Sequence, residues 1–534
     1  MKSKVFLPLF FAIAIIIGIF IGELLPHNGT FKNPFTSLRN QQVNKLNEVV
    51  NYIHDDYVDT INETKIVEGA ITGLLHDLDP HSIYIPAEDF KDVNEPLEGN
   101  FEGVGIEFHI QDDTVMVISA IAGGPSESVG IHSGDRLVSV NGKNIAGTKI
   151  TNKDVVKLLR GETGSKVTVG ILRLGTAGIK DYKISRGKIP IYSVDVGYMI
   201  NPTIGYIKIS RFANNTYEEF MEKLDALLKA GMKSLILDLK GNPGGYLSAA
   251  TKITDEFLDG NKMIVYTQGQ ARKKTEYRAS SNGAFLHGKL LVLIDEGSAS
   301  ASEIVSGALQ DWDRATIVGR RSFGKGLVQE QTDFPDGSAM RLTVARYYTP
   351  TGRCIQRPYD HGTESYYDNV RDRATNGELE SLDSIHLPDS LKFKTPGGKT
   401  VYGGGGIMPD VFVPADTSDN SAFLNDVLTK GFASEFSFKY LDHHRESITA
   451  YKSFDEFNRK FQIDDETYQQ FVAYCLKGGA AKDDAGIKSG AVYLKIELKA
   501  LIARQVWKNE GYFPVIHQAD KTLKKAVEII QSNK

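Results

Sequence analysis

Three short segments of this 534-residue chain hold residues that could do covalent chemistry. The first is Asp295-Glu296-Gly297-Ser298-Ala299-Ser300-Ala301-Ser302-Glu303. It joins an apolar strand at residues 290–295 to an amphipathic helix with Ile304, Val305, Ala308 and Leu309 inside. A serine at such a junction has its hydroxyl near unbonded helix N–H groups, which favour developing negative charge. Serines are also good helix caps, and spacing alone does not choose among Ser298, Ser300 and Ser302. The second segment, Arg321-Ser322-Phe323-Gly324-Lys325-Gly326, leads into a strand from Leu327 to Gln331. Lys325 and Gln329 have the same parity, so both side chains leave one face. The third, Leu237-Asp238-Leu239-Lys240-Gly241-Asn242-Pro243-Gly244-Gly245-Tyr246, is a strand end with a glycine turn before a helix. Such a turn can present a bare N–H to an oxyanion, or can simply reverse the chain.

A nucleophilic serine needs a base. Between residues 188 and 360 the single histidine is His287, in a loop context beside Gly288 and Lys289. No Gly-x-Ser-x-Gly elbow surrounds Ser300, so a Ser–His–Asp triad is poorly supported. Lysine can serve instead. Bringing an amine that titrates near 10.4 down to neutrality costs about 4 kcal/mol, which burial can impose. Flanking glycines let backbone pack around Lys325, and Gln329 could orient the amine without adding charge.

These residues need elements to position them. The chain is too long for one core and predicts several domains. It is 41% hydrophobic and 24% charged with a net charge of −5, and no basic patch suggests nucleic acid. Lys2 and Lys4 precede an apolar run at residues 5–21, near the minimum for a spanning helix. The spacing predicts an uncleaved anchor or signal over residues 1–25, with the body exported. Residues 26–97 read as a linker and a helical segment that packs on something else. Residues 98–190 hold alternating strands, the hairpin turn Asn141-Gly142, a helix near 151–160 and the landmarks Gly103-Val104-Gly105-Ile106 and Gly134-Asp135-Arg136-Leu137. This order resembles a PDZ domain, whose glycine loop binds a C-terminal carboxylate on backbone amides and adds the peptide to a sheet edge. Strand–helix–strand repeats over residues 191–357, within a core expected to span 191–418, predict an α/β fold with a largely parallel, mixed sheet. Thr216-Tyr217-Glu218-Glu219 reads as a capping box. Residues 358–400 look like a polar, irregular surface excursion, and 419–534 like a helical extension. The fold class expected is α/β multidomain. Two cysteines, Cys354 and Cys475, leave one disulfide open.

Together the motifs resemble the carboxyl-terminal processing peptidases, PDZ-containing serine endopeptidases with a Ser–Lys dyad. The resemblance covers about residues 43–357 and resumes near 401–413. It implies Ser300 as nucleophile, Lys325 as base and Gln329 completing the set. It also implies an oxyanion hole from Ala301 and a glycine of the Gly244-Gly245 pair, and a role for Arg160 in coupling the peptide-binding loop, Gly103, Val104, Gly105 and Ile106, to the active site. The expected reaction is peptide hydrolysis through an acyl-enzyme, with no metal and no cofactor. Expected partners are exported or misfolded proteins with free apolar C-termini, the membrane through the N-terminal helix, and a second copy or an adaptor. The expected location is the cell envelope, with the anchor in the inner membrane and the body in the periplasm or extracytoplasmic space. The rival classes are a non-catalytic PDZ scaffold with a protease-like core, and a Ser–His hydrolase using His287.

Overall fold

The computed structural model describes residues 34–416 and 421–532. The expected anchor over residues 1–25 lies outside them. Among the described residues no helix is long and apolar enough to cross a membrane. The chain divides into two compact units at Gly73. The described part of the first holds helix Pro34–Asp56 and the greater part of Glu63–His76; helical spacing is expected from Val43, and the first helix begins earlier, inside the stretch read as linker.

The second unit contains the PDZ-like part. Strands Ile106–Gln111, Thr114–Ala120, Arg136–Val140, Lys166–Leu172 and Ile179–Ser185 lie side by side in that order, all antiparallel. Alternating residues Val115, Val117, Leu137, Val167, Val169 and Ile171 point into one core with Val155 and Leu159 of helix Asn152–Leu159. Asn141 and Gly142 both take positive φ, 50° and 79°, as a tight hairpin turn requires.

The α/β core is built on a six-stranded sheet. Val194–Asn201 and Ile204–Ile209 form an antiparallel hairpin. From Ile204–Ile209 the sheet continues in parallel through Ser234–Asp238, Lys289–Ile294, Thr316–Gly319 and Val411–Phe412. Both faces are covered, which is why Ser234–Asp238 reads as continuous burial rather than alternation. Ile207, Leu235, Leu237 and Val292 face helices Thr216–Lys229, Leu247–Asp255 and Ala301–Asp311. Tyr206, Ile236, Leu291 and Leu293 face Leu523, Ala526 and Ile530 of the last helix, Lys521–Ser532. The C-terminal extension is helical as expected, and this last helix closes the far face of the core sheet.

Three readings change. A second sheet, not expected, is wholly antiparallel: Ala339–Tyr348 pairs with Ile83–Ile85, Leu327–Asp333 and Met263–Gln268, which pairs on with Thr275–Arg278. The capping box at Thr216 does not form, because Glu219 instead accepts from the Ser193 and Val194 amides at 2.8 and 2.9 Å. The excursion at 358–400 is ordered, with helix Thr363–Thr375 and hairpin Lys392–Lys394/Thr400–Tyr402. Its Tyr366 and Arg373 are buried, since their polar ends bond into the core. Cys354 and Cys475 are free thiols.

Candidate active site

The strand Lys289–Ile294 ends in a turn that delivers Ser300 to the start of helix Ala301–Asp311. Ser300 has φ 54° and ψ −111°, a conformation that costs a non-glycine residue on the order of 1–3 kcal/mol. The surroundings impose it. The Ser300 N–H donates to Glu303 Oε2 at 2.8 Å, and the flanking Ala299 N–H donates to the Asn242 carbonyl at 2.9 Å. Ser298 and Ser302 are fully buried and their hydroxyls donate to the carbonyls of Leu239 and Asn242. Ser300 alone of the three retains exposure.

The turn Gly241-Asn242-Pro243-Gly244-Gly245 lies directly over this serine. A Cβ on Gly244, whose φ is +99°, would sit 2.8 Å from Ser300 Cβ and 2.9 Å from the Ala301 nitrogen. Ala301 is the first helical residue, so its N–H has no partner within the helix. The Gly244 N–H is committed to Asn242 Oδ1 at 2.8 Å. The Gly245 N–H makes no bond among the described residues. Of the glycine pair, Gly245 is therefore the free donor.

Lys325 lies in the loop before strand Leu327–Asp333. The fully buried Glu303 binds both chemistry-bearing loops. Its Oε1 accepts from the Ser322 hydroxyl at 2.5 Å and the Gly324 N–H at 2.7 Å; its Oε2 accepts from the Ser300 N–H and, at 2.9 Å, the Lys325 N–H. Tyr347 repeats the link, its hydroxyl 2.7 Å from the Lys325 carbonyl and 3.1 Å from that of Ser300. Burial pushes the Lys325 amine below the ordinary lysine value; Glu303 and Asp79 oppose this and Arg341 assists it. Burial pushes the Glu303 carboxyl up, against the bonds that favour its charge.

Gln329 stands opposite Thr343 in the second sheet, where a register slip falls between Val328 and Gln329. Its Nε2 donates to Thr343 Oγ1 at 3.3 Å. Sequence reasoning missed what lies beyond: the turn Asp79-Pro80-His81-Ser82, placed by strand Ile83–Ile85. Asp79 accepts from Thr343, and the His81 imidazole lies 3.0 Å from the Tyr366 hydroxyl. Burial, then the nearby Lys325 and Arg357 charges, lower the His81 pKa to about 3, with Asp79 opposing. The available signal was an Asp-Pro turn carrying a carboxylate, an imidazole and a hydroxyl just before a strand.

His287 is exposed, at the start of strand Lys289–Ile294, whereas Ser300 follows its end. Roughly 20 Å of strand separates those ends, so His287 cannot act on Ser300.

In the PDZ-like part, Gly103 ends strand Asn100–Gly103 and Ile106 opens the edge strand Ile106–Gln111. Val104 is buried and Gly105 has φ +77°. The Val104 and Gly105 N–H groups donate to nothing among the described residues. A cleft of about 430 Å³ runs along Phe108, His109 and Ile110 to Asn152 at the start of the helix. Arg160 does not touch Ser300 or Lys325. Its Nη1 lies 2.5 Å from Asp92 and 2.7 Å from Glu95 of helix Phe90–Glu98, whose Asn94 accepts from Arg341 at 2.7 Å.

Residues 203–364 match peptidase family S41, residues 116–173 a PDZ domain, residues 27–89 the activating protease CtpB N-terminal domain and residues 423–508 a family of unknown function. The chain is 38% identical over 320 residues to a probable CtpA-like serine protease of Staphylococcus aureus, covering 59% of this chain and 62% of that one. It therefore spans less than two thirds of that relative's length. It is 34% identical over 322 residues to the carboxy-terminal processing protease CtpA of Bacillus subtilis, covering 60% of this chain and 68% of that one. Among solved structures it is similar to the photosystem II D1 C-terminal processing protease, at 26% identity and a TM-score of 0.37, covering 70% of this chain and 87% of that one. With a PDZ domain joined to an S41 core and this identity to the Bacillus protein, the chain belongs to the carboxy-terminal processing protease family.

Proposed function

We propose that this protein is a serine endopeptidase working through Ser300 and Lys325. A neutral Lys325 Nζ takes the proton of Ser300 Oγ as that oxygen bonds to the scissile carbonyl carbon. The N–H groups of Ala301 and Gly245 receive the oxyanion. The Lys325 ammonium then gives its proton to the leaving amine as the C–N bond breaks. Water, deprotonated by Lys325, hydrolyses the acyl ester and restores the serine. The observation carrying this reading is that one oxygen of Glu303 holds the backbone N–H of both Ser300 and Lys325, so nucleophile and base share one anchor.

The PDZ part is assigned to apolar C-terminal ends of exported or misfolded proteins, since its free amides and open strand edge suit a carboxylate and an added strand. The Arg160 contacts to helix Phe90–Glu98, and that helix's contact to Arg341, support a route from this module to the base. The lysines and apolar run at the N-terminus support a membrane-anchored protein with its body outside the cytoplasm.

The test is cleavage of an unfolded protein with an apolar C-terminus by wild type, Ser300→Ala and Lys325→Ala, with folding checked by circular dichroism. Both variants lose activity by roughly 10⁴-fold or more. Near wild-type cleavage by Lys325→Ala would refute the dyad. Inert wild type would favour the scaffold reading. Activity should rise with pH as Lys325 loses its proton, with the acid limb below the ordinary lysine range because burial disfavours the ammonium.

A further inference from the structure

We propose that Asp79 and Thr343 are positioning residues for the base: together they fix the Gln329 amide so that Oε1, not Nε2, is offered to the Lys325 amine. This rests on the serine–lysine reading above and assigns the residues that orient its third member.

The argument is one of hydrogen-bond direction. The Asp79 carboxylate is met by four donors: the N–H of His81 at 2.8 Å, the N–H of Ser82 at 2.9 Å, the hydroxyl of Ser82 at 2.6 Å and the hydroxyl of Thr343 at 3.0 Å. A carboxylate facing only donors can only accept. The single Thr343 hydroxyl proton is therefore spent on Asp79, and Thr343 Oγ1 can only accept from Gln329. Of the two ends of the amide, Nε2 alone can satisfy that. Reversal would set Oε1 against an oxygen with no proton to give. Gln329 is thus left with Oε1 as its remaining acceptor. An acceptor beside a neutral amine takes one N–H and so fixes the rotation of Nζ, holding its lone pair toward the serine.

Two further observations favour this purpose over simple packing. The strand pairing slips between Val328 and Gln329, so that Gln329 faces Thr343 and Val344 is passed over. Such bulges re-aim side chains beside active sites. Asp79 also lies within electrostatic reach of Lys325, whose protonated form it favours.

The experiment measures kcat, KM and the pH profile of the full chain as wild type, Thr343→Val, Thr343→Ser, Asp79→Asn and Ser300→Ala. Thr343→Val keeps the shape and removes the relay. It should lower kcat on the order of 10- to 100-fold with KM little changed, and leave the acid limb in place. Thr343→Ser restores the hydroxyl and most of the rate. Asp79→Asn lowers the plateau and also moves the acid limb to lower pH, because a negative charge near the ammonium is gone. Thr343→Val within about twofold of wild type, or an unmoved limb in a folded Asp79→Asn, would overturn the inference. Should Asp79→Asn fail to fold, the valine–serine pair at 343 decides. Cleavage by Ser300→Ala would defeat the serine–lysine reading itself; an inert Ser300→Ala beside a fast Thr343→Val defeats this inference alone.

Discussion

The two halves of the proposed Ser300–Lys325 site, nucleophile and base, are built differently. The nucleophile half, Ser300 with the turn over it, is assembled from adjacent parallel strands Ser234–Asp238 and Lys289–Ile294 and the turns that follow them. Its bonds join backbone groups to one another and to short side chains of the same turns, Ser298, Ser302 and Asn242, with the carboxylates of Asp295 and the buried Glu303 accepting from backbone N–H groups. The base half sits on the antiparallel sheet and draws on distant chain: Asp79 and His81 from before the PDZ part, Thr343 from a neighbouring strand, and Tyr366 and Arg373 from the polar insertion. It is also crowded with cations. Lys325, Arg341 and Arg373 all have lowered pKa values, burial being the leading cause, with Arg373 brought to about 10. On the proposed mechanism the Ser300 half fixes geometry, and the Lys325 half tunes protonation and needs many remote groups to do so.

If that contrast holds, breaking the nucleophile half costs most. A Cβ on Gly245, whose φ is +143°, would meet the Phe212 carbonyl oxygen at 2.0 Å. The neighbour is backbone and cannot rotate away. Gly245→Ala therefore displaces the free N–H over Ser300, and kcat should fall by about 10²- to 10³-fold. Steady-state kinetics on a variant with a native circular dichroism spectrum checks this. A loss under tenfold would mean that Ala301 suffices alone.

The base half should yield by smaller steps, since several groups share its support. Arg373 donates to the carbonyls of Ser322 at 2.8 Å and Phe323 at 3.2 Å, just before Lys325. Arg373→Met leaves those acceptors buried and unpaired, at about 1–3 kcal/mol of stability. The loosened loop should lower kcat roughly tenfold while KM holds. Thermal melts and kinetics together test this. Lost stability with unchanged kcat would mean the insertion braces the fold and not the base.

The same division governs what the sequence discloses. The three-serine turn, the Lys325 loop and the glycine turn stand at strand ends among small residues, so local pattern marked these segments, while the choice of Ser300 among its neighbours came from the family resemblance. Gly245 over Gly244 was not decidable, because the competing bond comes from the Asn242 side chain. Asp79 and Thr343 lie 264 residues apart, and no local periodicity links them. Arg373 was hidden by composition: in a polar stretch, a buried arginine looks like any surface one. The last stretch of the chain read only as helical, and that Leu523, Ala526 and Ile530 cover one face of the core sheet came from the fold.

The smallest expected effect tests the electrostatic side of the comparison. The His81 imidazole faces Lys325 and Arg357, with Asp79 as its acid neighbour and Tyr366 as its bonding partner. Its pKa is lowered from 6.5 to about 3. The unfolded chain therefore binds this proton first as pH falls. The stability tied to the neutral ring is fully present above about 6.5 and drains away as pH drops toward 3. His81→Gln cannot take that proton. Its melting temperature should fall less between pH 7 and pH 4 than that of wild type, even if it starts lower for want of the Tyr366 contact. Equal slopes for the two proteins would show that His81 is not held neutral in the fold. Burial of this ring, and the Lys325 and Arg357 charges beside it, would then weigh less on the base half than its packing indicates.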